Sequence, residues 1–338
     1  MEDAIDNGLQ RDRSQMSEIT HASPNVAVLI PCYNEAATIE KVVGDFRAAL
    51  PDATIYVFDN NSDDGTGDIA RRAGAVVYAE KRQGKGFVVA AMFEKIEADT
   101  YLMVDGDDTY PADRAAELIA PVVEGRADMV VGLRQAVDEA AAYRPFHVFG
   151  NKLVRDLVNR IFGANLGDIM SGYRAFSREV ALNLPIMAYG FDIETEMSIQ
   201  CLYRRWVIQE IPVEYRERPE GSESKLSTFR DGFRVLFRIL SLFRSYKPLT
   251  FFGGMGIFFF VLSVVGGLTI WMREWPAGSG LRLAIMLTSA TLMAMSLIAA
   301  SIGVIVQLIN FRFLELDSVT KRHRIRMERG MRRARSDS

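Results

Sequence analysis

The chain has 338 residues, 49% hydrophobic and 25% charged, with a formal net charge of −3. This is a globular composition, and the net negative charge argues against a nucleic-acid binder, although the average hides positive charge gathered at the C-terminal end. The cysteines, Cys32 and Cys201, are far apart, and the histidines, His21, His147 and His323, have no ligand spacing to them, which disfavours both a disulfide framework and a zinc enzyme.

Residues 1–23 are polar and mixed in charge, and read as a flexible leader without a secretory signal. From Val26 onward, strand and helix alternate. Strands are expected at Val26–Ile30, Thr54–Phe58, Val76–Tyr78, Tyr101–Val104 and Met129–Val131, with helices at about 38–50, 67–73, 86–96 and 114–124. Short, continuously apolar strands separated by helices predict an α/β domain with a mostly parallel sheet covered on both faces. Residues 144–217 read as less regular helix and strand that complete one side of a pocket.

Ligands of such sheets bind beyond the carboxyl ends of the strands, where four polar clusters fall: Cys32–Glu35, Asp59–Thr66, Asp105–Asp108 and Gly132–Arg134. In Asp105-Gly106-Asp107-Asp108, three crowded carboxylates repel one another, so the arrangement points to a neutralising divalent cation or other positive group. A solvated turn is the alternative, because Asp and Gly also favour turns. Asp59 is the acceptor best aimed at a base or ribose, with Ser62 or Asp63 free to cap the following helix. Lys81–Gly86 sets positive charge on a turn that can face phosphates. The turn after the first strand lacks the glycines of a dinucleotide fold, which disfavours a nicotinamide enzyme.

Residues 229–247 place Phe229, Phe233, Leu236, Phe237, Leu240 and Phe243 at helical spacing beside Arg230, Arg234 and Arg238. This suits a helix lying among anionic headgroups, with packing on the soluble domain as the alternative. Leu249–Met272 carries no charge and spans about 36 Å as a helix, enough to cross a bilayer. A second uncharged run covers 283–311, and the linker between them holds charge, Pro276 and glycines, which predicts a hairpin. Lys and Arg are abundant before the first span and after the second, so both termini are expected in the cytoplasm. The expected boundaries are 24–228 for the catalytic domain, 229–247 for the interfacial helix, 248–272 and 282–311 for the spans, and 312–338 for a basic cytoplasmic tail.

In order and spacing, Pro31–Glu35, Asp59–Thr66, Gly84-Lys85-Gly86 and Asp105-Gly106-Asp107 resemble the nucleotide-sugar domain of family 2 glycosyltransferases, which have the GT-A fold. Asp168–Arg174 and Ser224-Lys225-Leu226 resemble the branch related to dolichyl-phosphate mannose synthases, which transfers sugars to polyprenyl phosphate. The resemblance implies that Pro31, Tyr33, Glu35, Asp59, Asn61, Lys85 and Asp105 hold the donor, and that Asp107, helped by Asp105, binds Mg²⁺ or Mn²⁺. It further implies that Arg134, Arg218 and Lys225 act at the reacting phosphates, with Ser171 and Arg174 at the acceptor phosphate. Thr109 stands where relatives often have Gln, and the stretch 218–225 is one residue longer than usual.

The expected reaction is inverting transfer of a single sugar, preferably from a UDP-sugar, to undecaprenyl or dolichyl phosphate at the cytoplasmic membrane face. It would make a lipid-linked sugar for envelope glycan or protein glycosylation. A phosphate monoester has a second pKa of about 6 and is already anionic at neutral pH, so no general base is needed. Asp192, Glu194 and Glu196 are base candidates only for a hydroxyl acceptor, and otherwise suit a helix N-terminus. A processive polysaccharide synthase is disfavoured by the distance of Gln200 from Arg205-Trp206 and by having two spans. A non-catalytic membrane-anchored nucleotide-binding protein is disfavoured by the intact Asp105 and Asp107. Gly253, Gly254, Gly256, Ser263 and Gly267 permit close helix contacts within a hairpin or between copies.

Overall fold

Alternation along the first strand decides the layering. In β1 (Val26–Cys32), Ala27 and Leu29 join one apolar cluster while Val28 and Ile30 join the other, so both faces of the strand are buried. The structure, a computed structural model, describes residues 24–136, 145–187, 193–219, 237, 239–276 and 279–336. The leader, Asp192, Lys225 and residues 229–236 and 238 of the expected interfacial helix lie outside these residues. The chain divides into two units, Met1–Leu236 and Phe237–Ser338.

The first unit holds a seven-stranded sheet in the order β3-β2-β1-β4-β6-β5-β7. Its strands are β1, β2 (Thr54–Asp59), β3 (Val76–Ala79), β4 (Thr100–Met103), β5 (Met129–Ala136), β6 (Arg174–Ser177) and β7 (Ile208–Tyr215). All neighbouring pairs are parallel except those of β6, which runs against β4 and β5. The helices are α1 (Ile39–Ala49), α2 (Thr66–Arg72), α3 (Lys85–Lys95), α4 (Ala115–Val123), α5 (Pro145–Phe162), α6 (Arg178–Asn183) and α7 (Ile193–Tyr203). Residues of α3, α6 and α7 bury one sheet face, and residues of α1 and α4 bury the other.

This topology gathers one edge. The C-terminal ends of β1, β2, β4, β5 and β7 meet there, and so does the N-terminal end of the reversed strand β6. The turns after β1, β2 and β4 fall there as the sequence predicts. Gly132–Arg134 does not follow its strand, because β5 continues to Ala136 while pairing with β7. Arg134 is therefore placed by a sheet ladder rather than by a loop.

In the second unit, residues 239–246 are helical, followed by α8 (Pro248–Met272) and α9 (Gly280–Ser336). Both α8 and the Gly280–Leu316 part of α9 are long and apolar enough to cross a bilayer, with mean hydropathies of 2.1 and 2.3. Their large apolar side chains, among them Phe258, Trp271, Leu287 and Leu308, are exposed. The two helices meet through small residues: Ser263 Oγ donates to the Ser289 carbonyl at 2.7 Å, and a Cβ on Gly256 would stand 3.1 Å from the Ser296 carbonyl. Residues 312–336 of the expected tail are helical. Helix continues without a break through its basic residues to Ser336.

Leu102, fully buried in central strand β4, tests the core. Leu102→Ala should cost about 2–5 kcal/mol of stability, read as a lowered denaturation midpoint of the purified protein.

Candidate active site

The turns after β1 and β2 are stitched together at the gathered edge. Asn34 N donates to Ser62 Oγ at 2.9 Å, Asp63 N to Asn34 Oδ1 at 3.0 Å, and Glu35 N to Thr66 Oγ1 at 2.9 Å. Asn34, Asn61 and Asp108, one after each of β1, β2 and β4, have φ of 55°, 62° and 59°. Asn and Asp are the residues that tolerate this left-handed backbone best after glycine. Ser62 and Asp63 thus bind the neighbouring turn rather than cap α2, whose N-cap is Gly65. Asp64 Oδ1 accepts from Thr66 N there at 3.0 Å.

The expected nucleoside residues line this seam. Pro31 is half-buried and Tyr33 is 39% exposed at the tip. Glu35 is buried, and its carbonyl accepts from Thr38 and Ile39 to open α1. Asp59 Oδ1 accepts from Ser62 N at 3.0 Å. Asn61 donates to the Lys81 carbonyl and Gln83 Oε1, while the buried Asn60 donates to the carbonyls of Glu80 and Arg82 and accepts from Gly84 N. That clamp, not foreseen from the sequence, fixes the loop from Glu80 to Gly84. Hydrogen bonds from Arg82 hold the Glu80 carboxyl down at about 2.

The acidic turn after β4 has a cation for each carboxylate. Lys85 Nζ lies 2.5 Å from Asp105 Oδ1, Arg218 Nη2 lies 2.6 Å from Asp107 Oδ2, and Lys41 Nζ lies 2.7 Å from Asp108 Oδ1. Thr109 Oγ1 donates to Asp107 Oδ1 at 2.7 Å, so the residue standing for the expected Gln anchors the carboxylate. Burial and the nearby Asp105 raise the Asp107 pKa, against the opposing pull of Arg218 and Thr109. Lys85 also touches Glu194 Oε1 at 2.5 Å. Burial would lower its pKa, but the two carboxylates hold it above the ordinary lysine value.

A second wall comes from the turn entering β6. Arg134 forms a two-pronged pair with Asp168, at 2.6 and 3.0 Å, with its guanidinium over the Tyr215 ring. Glu210 accepts from Gly167 N and Asp168 N, and Tyr110 Oη accepts from Gly172 N at 3.0 Å. Gly172 lies so close to Asp105 that a Cβ there would stand 2.2 Å from Oδ2.

Two expected phosphate ligands do not reach the cleft. Arg174 is 0% exposed and donates to the carbonyls of Ser171 and Ile169 at 2.8 Å each and to Ser198 Oγ at 2.9 Å. Ser171 is equally buried, and its Oγ accepts from Tyr173 N. Both hold the turn rather than offer themselves to an anion. Glu194 and Glu196 are buried in α7, Glu194 on Lys85 and Glu196 accepting from Met187 N and Gln200. Lys225 lies outside the described residues.

A mostly parallel seven-stranded sheet with three paired carboxylates on one turn at its carboxyl edge has the form of a GT-A-type domain. Residues 27–184 match the family described as Glycosyl transferase family 2. Glycosyltransferase AglJ of Haloferax volcanii is 35% identical over 307 residues, covering 90% of this chain and 96% of that protein. The dolichyl-phosphate hexose transferase of the same organism is 30% identical over 212 residues, covering 62% of this chain and 90% of that protein. Glucosyl-3-phosphoglycerate synthase from Mycobacterium tuberculosis, solved with Mn²⁺ and UDP-glucose, shares the fold at a TM-score of 0.54 and 21% identity, over 67% of this chain and 79% of that one. The chain belongs to glycosyl transferase family 2.

Gly172→Ala should displace the Asp105 carboxylate and lower transferase turnover about 100-fold, with an unchanged circular dichroism spectrum. Glu80, whose folded pKa is depressed from 4.5 to about 2, stabilises the fold above pH about 4.5 and loses that contribution as pH falls toward 2. The stability advantage of wild type over Glu80→Gln should shrink across that window in denaturant titrations.

Proposed function

We propose that the protein transfers one sugar, with inversion, from a nucleotide diphosphate sugar to polyprenyl phosphate at the cytoplasmic face of the membrane. UDP-sugars are the preferred donors. The observation that carries this reading is the set of Asp105, Asp107, Lys85, Arg218 and Arg134 at one sheet edge, in a chain that also has two bilayer-length apolar helices. The named activity of the dolichyl-phosphate hexose transferase supports the acceptor. The excess of Lys and Arg flanking the two spans supports cytoplasmic termini and contact with anionic lipids.

The donor set suits a divalent cation. Among the described residues no group of three or more His, Cys, Asp or Glu could hold a metal. Two hard carboxylates on one turn match Mg²⁺ or Mn²⁺, which take only one or two protein carboxylates when substrate phosphates supply other ligands. Held by Asp105 and Asp107, the cation would supply Lewis-acid stabilisation of the leaving diphosphate.

The protein's own groups do the rest. Pro31, Tyr33, Glu35, Asp59 and Asn61 bind and orient the nucleoside. Lys85 and Arg218 carry charge to the donor phosphates, and Arg134 with Lys225 receives the acceptor phosphate. An anionic phosphate oxygen attacks the anomeric carbon as the bond to the diphosphate breaks, so no side chain has to remove a proton. The commitment of Glu194 to Lys85 accords with a reaction that needs no base.

Purified protein incubated with a panel of UDP- and GDP-sugars and undecaprenyl phosphate should yield a lipid carrying one sugar. Excess EDTA should stop the reaction. Asp107→Ala should lower turnover about 100-fold or more with the thermal transition retained. A long polymer, or full-rate transfer in EDTA, would overturn the reading.

A further inference from the structure

Glu194 belongs to no cluster at a strand end, yet its carboxylate lies inside the site. It comes from α7, where Ile193 through Cys201 are buried without interruption. A carboxylate is costly to bury unless paired, and Glu194 is 4% exposed. Its partner is Lys85 at 2.5 Å, and Lys85 is shared at the same distance with Asp105. The lysine side chain is 12% exposed, so solvent screens the trio weakly.

The charge count gives the arrangement its meaning. Lys85 and Asp105 alone would be a neutral pair, and a divalent cation approaching Asp105 would meet a dipole and no net charge. With Glu194 added, the three groups carry one net negative charge. Lys85 also keeps an anchor if Asp105 turns to another partner.

We infer that Glu194 is a positioning residue: it shares the Lys85 ammonium with Asp105, so that Asp105 can take a divalent cation while Lys85 stays tethered for the donor diphosphate. This rests on the proposed metal-dependent donor site. Glu194 acts through Lys85 and handles no substrate proton.

A double-mutant cycle on full-length, detergent-purified protein tests it, reading Mn²⁺ affinity by the paramagnetic resonance of free Mn²⁺ with UDP or GDP present, whichever wild type retains. Glu194→Gln makes the trio neutral and should weaken Mn²⁺ about tenfold or more, the size usual for a residue that orients a metal ligand. The pair Glu194→Gln with Lys85→Met restores the single negative charge and should recover Mn²⁺ affinity to within about threefold of wild type, while turnover stays low because Lys85 is missing. Glu194→Asp should fall between. Unchanged Mn²⁺ affinity in Glu194→Gln with lost turnover would overturn the inference in favour of a base. Equal weakening in the single and double variants, with matched thermal transitions, would overturn it in favour of general packing. Absence of Mn²⁺ binding with either nucleotide in wild type would instead overturn the metal reading beneath it.

Discussion

Three carboxylates within four residues can share a partly buried turn only if each is answered by positive charge. Like charges about 4 Å apart at an effective dielectric constant of 20 repel by about 4 kcal/mol, a large fraction of the stability of a domain. The answering cations come from separate parts of the chain: Lys41 from α1, Lys85 from the first turn of α3, and Arg218 from beyond β7. Neutralising Asp105, Asp107 and Asp108 therefore requires the sheet that brings those parts to one edge. The edge is held together by the same pairs that, in the proposed reaction, a diphosphate and its cation would compete for.

Much of the edge was legible because strand ends are marked by abrupt polarity. Val26–Ile30, Thr54–Phe58 and Tyr101–Val104 are apolar runs broken by Asn, Asp and Gly, and the turns after them lie where that break puts them. Arg174 misleads for a physical reason. A guanidinium that caps buried carbonyls and one that grips a phosphate present the same letter, and only its zero exposure and its bonds to Ser171 and Ile169 separate them. The run past Val131 into Arg134 hides the true length of β5, since polar side chains on a strand in register with β7 look like a loop. Glu194 was visible as an acid near a helix start, but its link to Lys85 spans more than 100 residues and leaves no local trace. The Asn60 clamp on residues 80–84 is hidden for the same reason.

The second unit obeys a different solvent. Phe258, Leu287 and Leu308 face outward, while Gly256, Ser263 and Ser289 face inward, the inverse of the sheet domain, where bulk is inside. Hydrocarbon supplies no drive to hide Leu or Phe, so contact between α8 and α9 depends on close backbone approach and a serine hydrogen bond. The helical continuation through the basic residues to Ser336 was unreadable from charge alone, because a solvated basic segment can be coil or helix with the same composition.

Strand β6 lies between β4 and β5, although it follows both in the chain. The native neighbour shared by β4 and β5 is therefore absent until some 70 residues beyond β4 have been made, a non-local pairing of the kind that slows folding. Gly172, the backing for Asp105, arrives only with that late insertion. A chain that stops before Gly172 therefore lacks this side of the acidic turn, whatever else of the sheet it has made.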